Sequence, residues 1–240
     1  MSSTLLSNWI QAPVAQASRF LECTVNSRLL VSDPPLDIKE HYGVIRRRLV
    51  NAFPNGAAVL VTSAGPAEVK TLTTLNLGLN FTGAKMDCAV VELDLRRPGF
   101  SSVFGNSVDR GVEDVLAGKV GIENVLAGVQ GSDLNVLSVK QTPNSAPELL
   151  ESQHLPAMIA GLRKRFKWVL VDTPPVFPFP DVETIAPYVD GALFVVRMGK
   201  TERNLIARAI EGMRTKVLGV IVNDQHWYTG YSYRYRQHYG

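Results

Sequence analysis

Five short runs, at 57–62, 88–94, 168–172, 192–196 and 217–222, are rich in consecutive apolar residues and show no in-and-out alternation. A strand exposed on one face alternates; a strand covered on both faces does not. Helical patterns fill the intervals at 37–53, 71–82, about 111–118, 121–127, 147–165 and 201–214. Strand, helix and strand at this spacing make βαβ units, which demand a mainly parallel sheet with crossover connections. The expected fold is therefore α/β, a doubly wound sheet with helices on both faces. Ligands of such sheets sit beyond the carboxyl ends of the strands. Residues 37–226 form the expected domain, preceded by an extension (1–36) and followed by a tyrosine-rich tail (227–240).

A chain of 240 residues buries a full core and suits one such domain. Its apolar runs are far shorter than the ~18 residues of a membrane span, and no basic segment leads into an apolar core at the N-terminus. Two cysteines, Cys23 and Cys88, have neither metal-ligand spacing nor a disulfide framework. These features predict a cytoplasmic protein with reduced thiols. The net charge of +3 is too small to argue for nucleic acid.

The first apolar run leads into Ser63-Ala64-Gly65-Pro66-Ala67-Glu68-Val69-Lys70-Thr71, and Lys70-Thr71 opens a helix. In a phosphate-binding loop the backbone N–H groups wrap the phosphates, the lysine reaches the outer ones and the hydroxyl holds Mg²⁺. The helix N-terminus adds its positive end. Here Lys70 and Thr71 stand in place, but the pattern G-x-x-x-x-G-K-[ST] meets Ala64 and Val69 where it asks for glycine. Two further runs end in acids at the same sheet edge: Glu92 and Asp94 on one, Asp172 on the other. Each alone reads as a helix cap or turn residue. Combined in this order with Lys70-Thr71, they point to carboxylates that hold Mg²⁺ directly or through water.

From about residue 37 onward the chain resembles the kinase domain of the bacterial P-loop tyrosine kinases, or BY-kinases, which regulate capsule and exopolysaccharide synthesis. The resemblance lies in Leu93-Asp94-Leu95-Arg96-Arg97-Pro98, Gly111 to Gly118, Pro147-Glu148-Leu149-Leu150, Val171-Asp172-Thr173-Pro174-Pro175 and Asp181. It extends to Val189-Asp190-Gly191, the stretch Val196 to Thr201, and Leu218 to Asn223. The related Min- and Par-type ATPases carry a lysine early in the loop; Gly65 stands there, which disfavours that alternative.

The resemblance implies ATP and Mg²⁺ as cofactors. Ser63, Pro66, Glu68, Val69, Lys70, Thr71 and Thr73 would cradle the nucleotide, with Lys70 on the outer phosphates and Asn223 on the adenine edge. Thr71, Asp94 and Asp172 would hold the metal. Glu92 stands where the family has aspartate, at a position that activates the acceptor hydroxyl or places the metal. Arg96 and Arg97 would balance phosphate charge, or would form a solvated basic turn. The family loop has glycine where this chain has Ala67 and Val69. If those positions keep φ > 0, strain of ~1–3 kcal/mol each follows, equivalent to roughly 5- to 150-fold in affinity if it falls on binding. Impaired phosphoryl transfer is the resulting expectation. The alternative is an inactive regulatory pseudokinase whose tail another kinase phosphorylates.

Five of seven tyrosines, Tyr228, Tyr231, Tyr233, Tyr235 and Tyr239, cluster in the last thirteen residues. By resemblance they are phosphoacceptors, and each phosphate would add about −1.5 to −2 charges. The family assembles through an early helix with the pattern Glu-x-x-Arg-x-x-Arg; here the matching residues are Glu40, Gly43 and Arg46, with one arginine missing. Implied partners are further copies of the chain, as a homo-oligomer, and a separate membrane-anchored polysaccharide co-polymerase that activates the kinase. The chain would then work at the inner face of the plasma membrane through that partner.

Overall fold

The computed structural model of the chain describes residues 20–23, 36–105 and 108–223. The tyrosine cluster and most of the N-terminal extension lie outside the described residues.

The helical pattern after the extension becomes α1 (Leu36–Ala52), which leads through Gly56 into β2 (Ala57–Ser63). α2 (Lys70–Gly83) and β3 (Cys88–Glu92) follow. The short helices α3 (Phe100–Phe104) and α4 (Val112–Leu116) precede β4 (Leu126–Val129) and β5 (Asn135–Leu137). Then come α5 (Ala146–Leu150), α6 (His154–Arg165), β6 (Trp168–Asp172), α7 (Asp181–Ile185), β7 (Gly191–Arg197), α8 (Arg203–Gly212) and β8 (Val217–Asn223). A two-residue strand, β1 (Phe20–Leu21), pairs with β4. The eight strands form one sheet in the order β1-β4-β5-β3-β6-β2-β7-β8. Every pairing is parallel except β4 with β5.

The missing alternation in β2, β3, β6 and β7 is explained by the two cores; β8, at the sheet edge, is not covered on both faces and leaves Val220 and Val222 exposed. Along β2, Ala58 and Leu60 face one core, with β3, α4, α6 and the α7 region. Ala57, Val59 and Val61 face the other, with α1, α2 and α3. Both faces are therefore dry, and either set of side chains is apolar. Helix α2 lies between the sheet and α1, so even its polar residues are buried. Thr74 and Thr82 donate to the carbonyls of Lys70 and Leu79 at 2.9 and 3.2 Å. Asn80 Nδ2 donates to the Lys39 carbonyl at 3.0 Å. The helix reaches the sheet closely at Gly78, where a Cβ would stand 2.7 Å from Val90 Cγ2.

Three expectations need correction. The helix expected at 121–127 is a short 3₁₀ turn (Ile122–Asn124) followed by β4. Its apolar run is too short for periodicity to separate helix from strand, and Gly131 at φ 78° turns it back onto β5. The helix expected at 147–165 is two helices, because Pro156 cannot donate to a carbonyl one turn earlier and fits only in the first turn of α6. The strand expected at 88–94 ends at Glu92; the Leu93 amide still donates to the Asp172 carbonyl at 2.7 Å, and Asp94 follows beyond it.

Candidate nucleotide site

Register gathers the site. Val61 and Glu92 are the ladder partners of Asp172 on its two sides, so β3 and β6 end together and β2 runs on to Ser63. The loop after β2 then sits beside the acids that end β3 and β6. Thr71 Oγ1 donates to Asp172 Oδ2 at 2.7 Å, and Thr74 Oγ1 lies 3.4 Å from Oδ1. Asp172 is fully buried behind Thr71. Burial pushes its carboxyl up to about 7, opposed by the Thr71 hydroxyl and the Lys70 ammonium. Burial also raises Asp94, against the Arg97 amide that donates to its Oδ1 at 3.0 Å and against Lys70. The lysine charge thus acts on both aspartates.

A cavity of about 640 Å³ opens over this group. One wall is the loop from Pro66 through Thr71, another is Asp94 with Arg97 and Gly99, and the third is apolar, from Pro174 to Phe179. Gly99 is required by close approach: a Cβ there would stand 2.8 Å from Thr71 Oγ1. Neither this glycine nor Thr74 stood out in the sequence. The Pro98-Gly99 turn signal was the only local hint, and Thr74 gave none.

The loop backbone keeps the shape that glycine would serve. Ala67 and Val69 lie in the left-handed region at φ 61° and 66°. Val69 caps the start of α2 from that conformation, and its side chain, 38% exposed, lines the cavity.

Of the other expected site residues, Arg96 and Arg97 line the cavity, while Glu92, Ser63 and Asn223 do not. Glu92 does not line the cavity, which corrects the expectation that it meets the acceptor hydroxyl. Its Oε1 accepts the amides of Gly99 and Phe100 at 2.5 and 2.7 Å, and its Oε2 accepts that of Val139 at 2.9 Å. Burial pushes Glu92 up to about 8, against those three donors. Its position fixes the turn that presents Gly99 to Thr71. Ser63 Oγ donates to the Gly65 carbonyl at 2.7 Å, inside the loop. Asn223 Nδ2 points at the Glu68 carbonyl and Thr73 Oγ1, at 3.3 and 3.1 Å. Arg96 forms a two-pronged pair with buried Asp181, at 2.7 and 2.9 Å, and stacks 4.0 Å from the centre of the Phe179 ring. Arg97 is the exposed one of the two arginines. On α1, Arg46 donates to the Asn80 carbonyl of its own chain at 2.7 Å. Tyr228 to Tyr239 lie outside the described residues.

The donor set suits Mg²⁺. A hydroxyl and one or two carboxylates are hard oxygen ligands, and Mg²⁺ keeps waters and substrate phosphates in its remaining positions. Among the described residues no cluster of three or more His, Cys, Asp and Glu offers an all-protein cage.

No family profile matches the chain. It is 28% identical over 202 residues to the tyrosine-protein kinase YwqD of Bacillus subtilis, covering 82% of this chain and 85% of that protein. It is 27% identical over 171 residues to the succinoglycan biosynthesis transport protein ExoP of Rhizobium meliloti, covering 69% of this chain and 22% of that longer protein. Among solved structures, the kinase domain of the Escherichia coli tyrosine kinase ETK superposes with a TM-score of 0.74 at 21% identity, over 93% of this chain and 99% of that one. The strand–loop–Lys70-Thr71 unit, the acids at the neighbouring strand ends and these likenesses lead to one conclusion: the chain is a homologue of bacterial tyrosine-protein kinases and shares the fold of the BY-kinase domain.

Proposed function

We propose that the protein binds Mg-ATP in this cavity as a component of capsule or exopolysaccharide synthesis, with tyrosine phosphorylation impaired by the residues at 67 and 69. The convergence of Lys70, Thr71 and Asp94 on one cavity, with Asp172 held directly behind Thr71, carries the reading. Lys70 would meet the outer phosphates, and Thr71, Asp94 and Asp172 would hold Mg²⁺ directly or through water. Bound Mg²⁺ would supply charge neutralisation for a transferring phosphoryl group. Impairment follows from the side chains: Ala67 and Val69 place methyl groups on a loop wall whose amides would otherwise approach the phosphates bare. The tail tyrosines Tyr228, Tyr231, Tyr233, Tyr235 and Tyr239 would be acceptors.

The partners in this reading are further copies of the chain and a separate membrane-anchored co-polymerase. ExoP, named for succinoglycan biosynthesis, supports the polysaccharide setting. Among the described residues no helix is long and apolar enough to cross a membrane; in this reading the partner holds the chain at the inner membrane face. The Val69 isopropyl group in the cavity favours a second reading, a pseudokinase whose tail another kinase modifies.

Unfolding with and without Mg-ATP tests the proposal first. A ligand at 100 times its Kd adds ~2.7 kcal/mol. No shift at millimolar nucleotide removes the ATP-binding reading. Given a shift, intact mass after incubation with Mg-ATP separates the two readings: added phosphate supports a kinase, and an unchanged mass leaves the pseudokinase.

A further inference from the structure

Ala67 and Val69 hold left-handed backbone without glycine at either position. Such a conformation is disfavoured for any residue with a Cβ and persists only where its surroundings over-determine it. The residue between them supplies those surroundings. Glu68 is buried, 2% exposed, and its side chain reaches across to the turn after β7. Its Oε2 accepts the Arg197 amide at 2.5 Å, and its Oε1 accepts the Thr201 hydroxyl. The backbone on either side is tied as well: Lys200 Nζ lies 3.5 Å from the Ala67 carbonyl, and Thr73 Oγ1 donates to the Val69 carbonyl at 2.8 Å. An anionic side chain in a phosphate cradle would repel its ligand. Here the carboxylate is committed to two donors instead.

We infer that Glu68 and Thr201 form a positioning clamp that holds the phosphate loop in its anion-receiving shape, replacing the conformational freedom that glycine at 67 and 69 would give. The inference rests on the nucleotide site proposed above. With the clamp closed, the loop is already shaped before a ligand arrives. With the clamp open, Ala67 and Val69 relax out of the left-handed region. The binding-competent fraction falls, and the apparent Kd rises in proportion. Glycine at both positions removes the reason to relax, so the clamp matters in the native loop and hardly at all in a glycine loop.

Four proteins form the cycle that tests this, with Thr201→Ser as a control: the native chain, Thr201→Val, Ala67→Gly with Val69→Gly, and all three changes together. By calorimetry with Mg-ADP, Thr201→Val is expected to weaken binding about tenfold in the native loop and less than about twofold in the glycine loop. Thr201→Ser, which keeps the hydroxyl, restores the native Kd. Equal factors in the two loops, or no loss in the native loop, overturn the clamp. Urea midpoints give a readout that needs no nucleotide. The glycine pair should raise the midpoint more with Thr201 present than with valine there, and equal shifts overturn the inference. If the native chain binds no Mg-ADP, the proposed function fails and the urea cycle still decides the clamp.

Discussion

Replacing Ala67 by glycine should stabilise the protein, against the ordinary effect of such a change. Alanine to glycine normally costs ~0.5–1 kcal/mol, because glycine gives the unfolded chain more freedom to lose. At φ 61° the balance reverses. A left-handed backbone costs a residue with a Cβ ~1–2 kcal/mol. Ala67 is exposed, so its methyl group contributes no burial to set against that relief. The net expectation is a gain of roughly 0.5–1 kcal/mol, or about 2–4 °C in Tm per kcal/mol for a domain of this size. Val69 is a poorer probe, because glycine there also removes partly buried methyl groups. Urea and thermal unfolding without ligand measure the effect. Because the loop holds this shape unliganded, the strain falls on folding, so Mg-ADP affinity should rise only by what the methyl group on the cavity wall costs. This revises the affinity loss expected from the sequence, which assumed that binding bears the strain. A lower midpoint in Ala67→Gly would show that the left-handed loop does not persist in solution.

Two further predictions concern the buried groups. Burial raises Asp172 from 3.8 to about 7 and Glu92 from 4.5 to about 8. Between those limits the unfolded chain binds fewer protons than the folded one, so stability should fall as pH rises from about 4 to about 8. Urea midpoints across that range, compared with a Glu92→Gln, Asp172→Asn variant, check the sign; a rise with pH specific to the native carboxylates refutes it. Gly99→Ala would press a Cβ to within 2.8 Å of Thr71 Oγ1 and displace the hydroxyl from Asp172. Mg-ADP affinity should drop at least about tenfold, and stability should fall by about 1–3 kcal/mol as the buried carboxylate loses its donor. An unchanged Kd would take Thr71 out of the metal site.

The fold was legible where local pattern and burial agree. The runs at 57–62 and 168–172 are strands covered on both faces, and their composition says so directly. β4 and β5 were not legible, since four and three residues are too few to show a period. Within the site, Lys70, Thr71, Asp94 and Asp172 were legible because each is a chemically distinctive residue at a strand end or helix start. Glu92 was misplaced. The resemblance implied a role at the acceptor hydroxyl or the metal, but its position on a central strand, with Val139 and Phe100 packed around it, makes it an acceptor for backbone amides.

The sequence by itself determined the layered parallel architecture, the sheet edge that carries the chemistry, and the lysine, hydroxyl and acids placed there. Those follow from periodicity and residue type, which act over a few neighbouring positions. Tertiary structure decided whether a loop without its glycines could keep a phosphate-binding shape. Its conformation depends on Glu68 meeting Thr201, 133 residues away, and Asn223 meeting the Glu68 carbonyl, 155 residues away. Local propensity argues against φ > 0 at alanine and valine. Hydrogen bonds made by distant residues in a buried setting outweigh it, and no short stretch of sequence contains both sides of that balance.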